Sequence, residues 1–294
     1  MLTVTIIGVG RVGGALALSL PPDKYTIENL VVRENGDVAS IAKARDRPAI
    51  ASCDALSALS SDIVFITTPD SAIASVAGRL DGKPNGSTVV LHTSGALSSA
   101  ILGDLKSDQV SVGSLHPLVS ISSAELGPER FRGAFFCVEG DPAAVKVADA
   151  IARDLGGKPF TIDSKKKTLH HAAAVTACGH LVALFDASVE MMTAAGLSPE
   201  QSAEILMPLV ESTVENLKTQ STATALTGTF ARADVETFSR HLAALNELGA
   251  DDLLQIYLLL GERSLELAAS AGVDGVRIEK IRAKMAVAKS KLKW

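Results

Sequence analysis

The chain has 294 residues, of which 47% are hydrophobic and 21% charged, with a formal charge of −5. That apolar fraction excludes a disordered chain, and the length suggests two domains, each able to bury a core. Only 8 Phe, 2 Tyr and 1 Trp are present, so with the net acidity no nucleic-acid partner is expected.

In chain order, the first half alternates short Val/Ile/Leu-rich runs with helical spacing. Leu2–Ile7, Thr26–Val32, Asp62–Thr67, Ser87–His92 and Gln109–Leu115 read as strands, separated by helices over Val12–Leu20, Val38–Ala44 and Ser71–Leu80. A strand in residues 134–141, a helix over Pro142–Leu155 and a strand in residues 158–163 close this half. The alternation predicts βαβ units and a doubly wound parallel sheet. At Asp163 the pattern changes to helix alone: 164–195 as one long helix, capped by Asp163 or Ser164 and stopped by Gly196. Helices over Pro199–Thr219, Asp234–Leu248, Asp251–Ala271 and Val276–Leu292 follow. The expected domains are therefore 1–163, α/β, and 164–294, all-α.

Cys53, Cys137 and Cys178 are few, odd in number and widely spaced, which points to a reducing cytoplasm. The N-terminus has no basic stretch ahead of its apolar one, unlike a secretory signal. The longest apolar run, Ala172–Phe185, has 14 residues, short of the ~20 a membrane span needs; it reads as a core helix, and no membrane partner is expected. Residues 275–294 carry seven Lys/Arg against one Glu. The spacing of Val276, Ile278, Ile281, Met285, Ala288 and Leu292 makes this a packed terminal helix with a solvated basic side.

Gly8-Val9-Gly10-Arg11-Val12-Gly13 matches GxGxxG between the first strand and first helix. In that context the first glycine serves the tight turn and the second lets a pyrophosphate approach. The third allows close helix packing, and the free amides of the helix start bind the anion. At the end of the second strand Val32 takes the place of the acidic residue that usually holds an NAD ribose. Arg33 follows, suited to a 2′-phosphate and favouring NADP(H); Glu34, one residue further, would be a ribose ligand if the register slips.

Ligands of an open α/β sheet sit beyond the strand C-termini. Thr68 and Pro69 there would line the cofactor, with Asp70 explained as a helix cap. His92, Ser94 and His116 are placed to orient a substrate carbonyl or carboxylate. Lys167, His171, Ala174 and Cys178 share one face of the long helix. Reduction of C=O or C=N needs a proton donor, and Lys167 is the preferred one, with His171 orienting it or sharing the role. His171, Cys178 and His180 have poor helical ligand spacing, so no metal is expected.

The runs at His92–Ser99, Gly113–Leu118, Phe136–Asp141 and Lys167–Val175, with Ala225–Gly228 and Ala231–Thr237, resemble the Rossmann-like proteins carrying the domain of unknown function 2520. Those proteins are similar to pyrroline-5-carboxylate reductase, 6-phosphogluconate dehydrogenase and 3-hydroxyacid dehydrogenases. They are also compared with deazaflavin-dependent NADP reductases, and some relatives are ketopantoate reductases. The resemblance implies a Rossmann domain, a 6-phosphogluconate dehydrogenase-like helical domain that forms a homodimer, and a site between them. It also implies NADP(H)-dependent reduction of a small anionic 2-keto acid, ketopantoate-like, or an imine. Relatives read Ala-Ser-Asn where this chain has Ala177-Cys178-Gly179, and Thr-Gly-Pro at Thr227-Gly228-Thr229. Gly179 cannot supply the substrate contact that an Asn makes in the related dehydrogenases, which keeps a non-enzymatic NADP(H) sensor or scaffold as the alternative.

Overall fold

The computed structural model describes residues 1–32, 41, 49–50, 60–80 and 86–292. They form two compact units, Met1–Cys178 and Gly179–Trp294. The division falls inside the long helix rather than at 163, because the first turns of that helix are bonded into the sheet unit through Lys167.

The first unit is built on an eight-stranded sheet: β1 (Leu2–Ile7), β2 (Tyr25–Val31), β3 (Ala49–Ile50), β4 (Ile63–Ile66), β5 (Thr88–His92), β6 (Val110–Pro117), β7 (Phe135–Gly140) and β8 (Lys158–Thr161). Their order is β3-β2-β1-β4-β5-β6-β7-β8, a doubly wound Rossmann arrangement with its reversal of direction at β1/β4. The described helices are α1 (Arg11–Ser19), α2 (Asp70–Leu80), α3 (Gly127–Phe131) and α4 (Pro142–Asp154). The helix expected over Val38–Ala44 lies outside the described residues, apart from Ile41.

Alternation along the strands divides the core in two. Ile6, Phe65, Leu91 and Val138 face α1 and α4, whereas Ile7, Ile66, Val90 and Val112 face α2 and the 3-10 turn Ser99–Leu105. Both faces are covered, which is why the strands read as unbroken apolar runs. One departure from the expected parallel sheet is the β6/β7 pair, which is antiparallel. Between them lies only a short 3-10 turn and the five-residue α3. The β6 chain therefore turns back beside itself instead of crossing the sheet on a full helix.

The long helix α5 (Lys167–Ala194) follows a 3-10 turn at Ser164–Lys166, where the Asp163 carboxylate accepts from the Lys165 amide at 3.0 Å. Then come α6 (Pro199–Thr219), α7 (Thr222–Ala225), α8 (Gly228–Ala231), α9 (Val235–Leu248), α10 (Asp251–Ser270) and α11 (Gly275–Lys289). The second unit's core is Phe238, Leu254, Leu258, Leu265, Ile281 and Met285 with their neighbours. Ile278, Ile281, Met285, Ala288 and Leu292 are buried, the apolar side of α11, but Val276 is exposed. On the basic side Arg282 pairs with Glu262 and Glu279, both at 2.8 Å. Part of the tail's charge is thus met within its own unit.

The expectation of a core helix at Ala172–Phe185 is not met. In the single chain that stretch is almost wholly exposed, including Val175, Leu181, Val182 and Leu184. By length and composition Ser164–Ala194 is also sufficient to cross a bilayer. A helix apolar on several sides needs cover, and the described residues do not supply it.

Candidate active site

The phosphate loop is built by contact as much as by conformation. Gly8 has φ +97°, a value L side chains rarely adopt, and a Cβ there would lie 2.8 Å from Thr68 Cγ2. At Gly13 a Cβ would run into the Gly8 carbonyl and the Thr67 hydroxyl, so helix and strand approach as the third glycine of the motif allows. Thr67 Oγ1 donates to the Gly8 carbonyl at 2.5 Å and locks the turn. The first hydrogen bond of α1 is from Gly14 to Gly10 at 2.8 Å, which leaves the preceding amides free for an anion. Among the described residues the Thr68 hydroxyl beside the loop has no hydrogen-bond partner, and it is buried. This loop, with its unpaired hydroxyl, fits a dinucleotide pyrophosphate and its adjoining ribose. Arg33, on which the choice of NADP(H) rests, lies outside the described residues.

Next to the loop is a cavity of about 420 Å³ at the C-terminal ends of β4, β5 and β6. Gly10, Arg11, Val12, Thr68, Pro69, Ser94, His116 and His171 of the expected site line it. Thr67, Asp70, Thr93, Gly95, Val119 and Ile121 join them. Sequence reasoning gave Asp70 a cap role only; it is the first residue of α2 and also faces the cavity. Val9 packs against the core instead.

His116 and His171 meet edge to face, ring centres 5.6 Å apart, over the backbone of Gly95. A Cβ at 95 would lie 2.7 Å from His116 Cε1 and Nε2 and closer still to His171 Nδ1. The glycine of the His92-Thr93-Ser94-Gly95 run is therefore there to admit the two imidazoles. Ser94 Oγ accepts from the amides of Ala96 at 3.2 Å and Leu97 at 3.0 Å. Its oxygen thus shapes the turn, and its proton remains to be donated.

Of the residues expected to bind substrate or act in catalysis, two do not reach the cavity wall. His92 is fully buried, and its Nδ1 accepts from the Ser94 amide at 3.1 Å. Lys167 has no exposure; its Nζ donates to Ser114 Oγ and is 3.0 Å from Glu139 Oε1. Burial pushes the lysine pKa down, against the opposing pull of Glu139. Burial first, then the nearby ammonium of Lys167, holds His92 down at about 3, despite a backbone hydrogen bond at Ser98 that works the other way. For His116, burial, then His171, Lys167 and His170, has the same result, about 3. At physiological pH burial therefore favours the neutral form of both rings.

Ser114, Glu139 and Ser99 went unnoticed as functional groups in the sequence, although the first two lie in the runs at Gly113–Leu118 and Phe136–Asp141. The available signal was polarity out of place: Ser114 and His116 alternate on β6, and Glu139 interrupts a buried strand.

With the geometry in place, the chain can be set beside known proteins. Residues 3–95 match the family described as NADP oxidoreductase, coenzyme F420-dependent. The chain is a Rossmann-type, NADP-dependent oxidoreductase. Its particular kind is given by residues 134–264, which match the domain of unknown function DUF2520; the chain joins that domain to the coenzyme-binding one. Among solved structures it is similar to TM1727 from Thermotoga maritima, at 27% identity and TM-score 0.72, over 91% of this chain and 99% of that one. BF3122 from Bacteroides fragilis, provisionally named an NADP oxidoreductase, aligns at 19% identity and TM-score 0.72, covering 90% and 98%. The pyrroline carboxylate reductase of Plasmodium falciparum, solved with NADP bound, aligns at 13% and 0.56, covering 91% and 98%. These last two identities speak for the fold alone. No curated protein matches the chain.

Proposed function

We propose that the chain reduces the C=O or C=N bond of a small anionic 2-keto acid or imine with NADPH. The observation that carries this reading is the convergence of His116 and His171 over Gly95, in the same cavity as the phosphate loop. When bound, the reduced nicotinamide supplies the hydride. The chain's own groups bind, orient and polarise. The amides at the start of α1 hold the pyrophosphate, and Arg33 is assigned to the 2′-phosphate. Thr68 and Pro69 border the nicotinamide side. His116, His171 and the Ser94 hydroxyl donate hydrogen bonds to the substrate oxygen or nitrogen and stabilise the charge that develops there. Arg11 at the cavity and the buried ammonium of Lys167 behind it favour an anion. In this reading Lys167 acts on the reaction through the imidazoles, with His92 positioning the Ser94 turn.

Supporting the homodimer are the uncovered apolar faces of α5 and α6. Leu181, Val182, Leu184, Ile205, Leu209 and Leu217 are all exposed in the single chain, more than a monomer ordinarily leaves in contiguous helices. A second copy presents the same surface and covers both by two-fold symmetry. Light scattering should give twice the chain mass for the wild type and the single mass for Val182→Asp with Leu209→Asp. A wild type that is monomeric, or that partitions into vesicles, overturns the dimer. The setting proposed is the cytoplasm, in keeping with free thiols at Cys137 and Cys178.

The test of the activity is an NADPH-oxidation screen over 2-keto acids and cyclic imines. Turnover on one of these classes supports the reading. NADPH binding without turnover on any of them overturns it in favour of a sensor.

A further inference from the structure

One face of the sheet carries a buried polar row that substrate and cofactor binding leave unexplained. His92 on β5 is the cross-strand partner of Ser114 on β6, and Ser114 that of Glu139 on β7. Directly paired residues project to the same side, so the three side chains stand in line. All are buried, on the face that two residues earlier carries Val90 and Val112. Lys167 closes over the row, bonded to Ser114 and Glu139. The Glu139 carboxylate is held further by Ser99, whose amide and hydroxyl each donate to it at 2.8 Å. Buried ion pairs of this kind contribute little to stability compared with apolar packing, so their presence calls for another reason.

That reason lies at the two ends of the row. His116, the next residue on that face of β6, and His171, one turn along α5 from Lys167, line the substrate cavity. At the far end Glu139 lines a second cavity of about 370 Å³, together with Ser99, Asp141, Thr161 and Ser164. The buried pair therefore lies between two separate cavities of the same unit.

Reduction of C=O or C=N consumes one proton as well as a hydride. A substrate and dinucleotide seated over His116 and His171 displace water from the first cavity, and the proton must then come from elsewhere. We propose that Glu139 and Lys167 form a proton path from the second cavity to the imidazole of His116, an inference that rests on the reductase reading above. The substrate oxygen or nitrogen takes the N–H proton of the neutral ring, while the ring's other nitrogen takes one from the Lys167 ammonium. The Ser114 hydroxyl and a bridging water carry it between them. Glu139 then passes a proton from water in the second cavity back to the amine. Along this path only bonds to hydrogen form and break, and nothing is oxidised or reduced; the electron pair enters the substrate carbon with the hydride. His116 Nδ1 is buried without a partner among the described residues, as a ring nitrogen waiting for a proton must be. The low basicity of the ring suits a relay, in which a proton enters one nitrogen as another leaves its opposite.

Two variants test the path. Thr161→Trp enlarges an exposed side chain at the end of β8 that lines the second cavity, and it removes no bond of the Ser99–Glu139–Lys167–Ser114 network. Glu139→Gln keeps the shape and removes the relay. The first readout needs neither substrate nor cofactor: exchange of the Lys167 ammonium protons with D₂O, followed by NMR of lysine-labelled protein. Thr161→Trp should slow it by about 10-fold or more, and exchange at the wild-type rate overturns the path. The second is single-turnover NADPH oxidation in H₂O and D₂O. Glu139→Gln should lower kcat by about 100-fold with KM unchanged and raise the solvent isotope effect. Wild-type kcat in both variants also overturns the path. If the wild type turns over no substrate, the reductase reading fails by itself, and the exchange measurement still decides whether the second cavity feeds Lys167.

Discussion

Gly95→Ala isolates the two imidazoles from everything else in the site. The φ of Gly95 lies outside the left-handed range, so alanine meets no backbone strain, and the whole effect is space. Ordinary contact begins at 3.4 Å, and the new Cβ would lie 2.7 Å from His116, so that ring must retreat by about 0.7 Å and His171 by more. Overpacking of this size costs about 1–3 kcal/mol. The smaller conformational entropy of unfolded alanine returns about 0.4–1 kcal/mol, leaving a loss of roughly 0–2.6 kcal/mol. Activity should suffer far more, because displacing a positioned group by ~1 Å lowers a rate by about 100-fold. The expected outcome in steady-state NADPH oxidation is therefore a ~100-fold fall in kcat/KM in protein that is still folded under assay conditions, with an unfolding free energy lowered by no more than roughly 2.6 kcal/mol. Gly103→Ala is the control, since a Cβ there meets nothing within 4 Å. Full activity in Gly95→Ala, or a loss matched by unfolding, refutes the role given to the imidazole pair.

Three further outcomes follow from the same geometry. Gly13→Ala drives a methyl into the Gly8 carbonyl and Thr67 hydroxyl; at ~1–3 kcal/mol, NADPH binding by fluorescence titration should weaken by about 5- to 150-fold, and unchanged affinity would remove the loop from the cofactor site. His92 and His116 have folded pKa values near 3 against ~6.5 unfolded, so the unfolded chain binds more protons between these values. Their stabilising contribution is complete above pH 6.5 and is lost as pH falls toward 3, at about 1.4 kcal/mol per pH unit for each ring; urea midpoints from pH 4 to 6.5 should show this slope, and His116→Asn should flatten it. Lys167→Met strands a buried carboxylate and should cost about 3–5 kcal/mol in thermal or urea unfolding, much of it regained with Glu139→Gln; a variant as stable as wild type would contradict the buried pair.

Much of the sheet was legible because its strands are covered on both faces. β1 is read at Leu2–Ile7 from a run of β-branched residues that ends at glycine, and every other strand except the two-residue β3 is read to within a residue or two. The phosphate loop was equally plain, since its glycines answer local contacts with Thr67 and Thr68. What sequence spacing did not convey is long-range pairing. The direction of β7 depends on how the chain between β6 and β7 folds back, and nothing in the run from 118 to 134 announces it. Lys167 illustrates the same limit at the site. Its helical spacing with His171 is as expected, yet whether its ammonium faces substrate or Glu139 depends on a partner 28 residues earlier. The exposure of α5 was hidden for a related reason, because an apolar helix looks the same in a sequence whether its cover comes from its own chain or another.

Reductase activity at this site means hydride delivery to a carbon held beneath His116 and His171. It is tested most directly by incubating the protein with NADPH deuterated at the transferable C4 position and the panel of 2-keto acids and cyclic imines, then reading the products by mass spectrometry. One deuterium is expected on the former C=O or C=N carbon of a single substrate class, with transfer reduced by about 100-fold in Gly95→Ala. Bound NADPH with no deuterium in any product, or equal transfer by the wild type and Gly95→Ala, would contradict it.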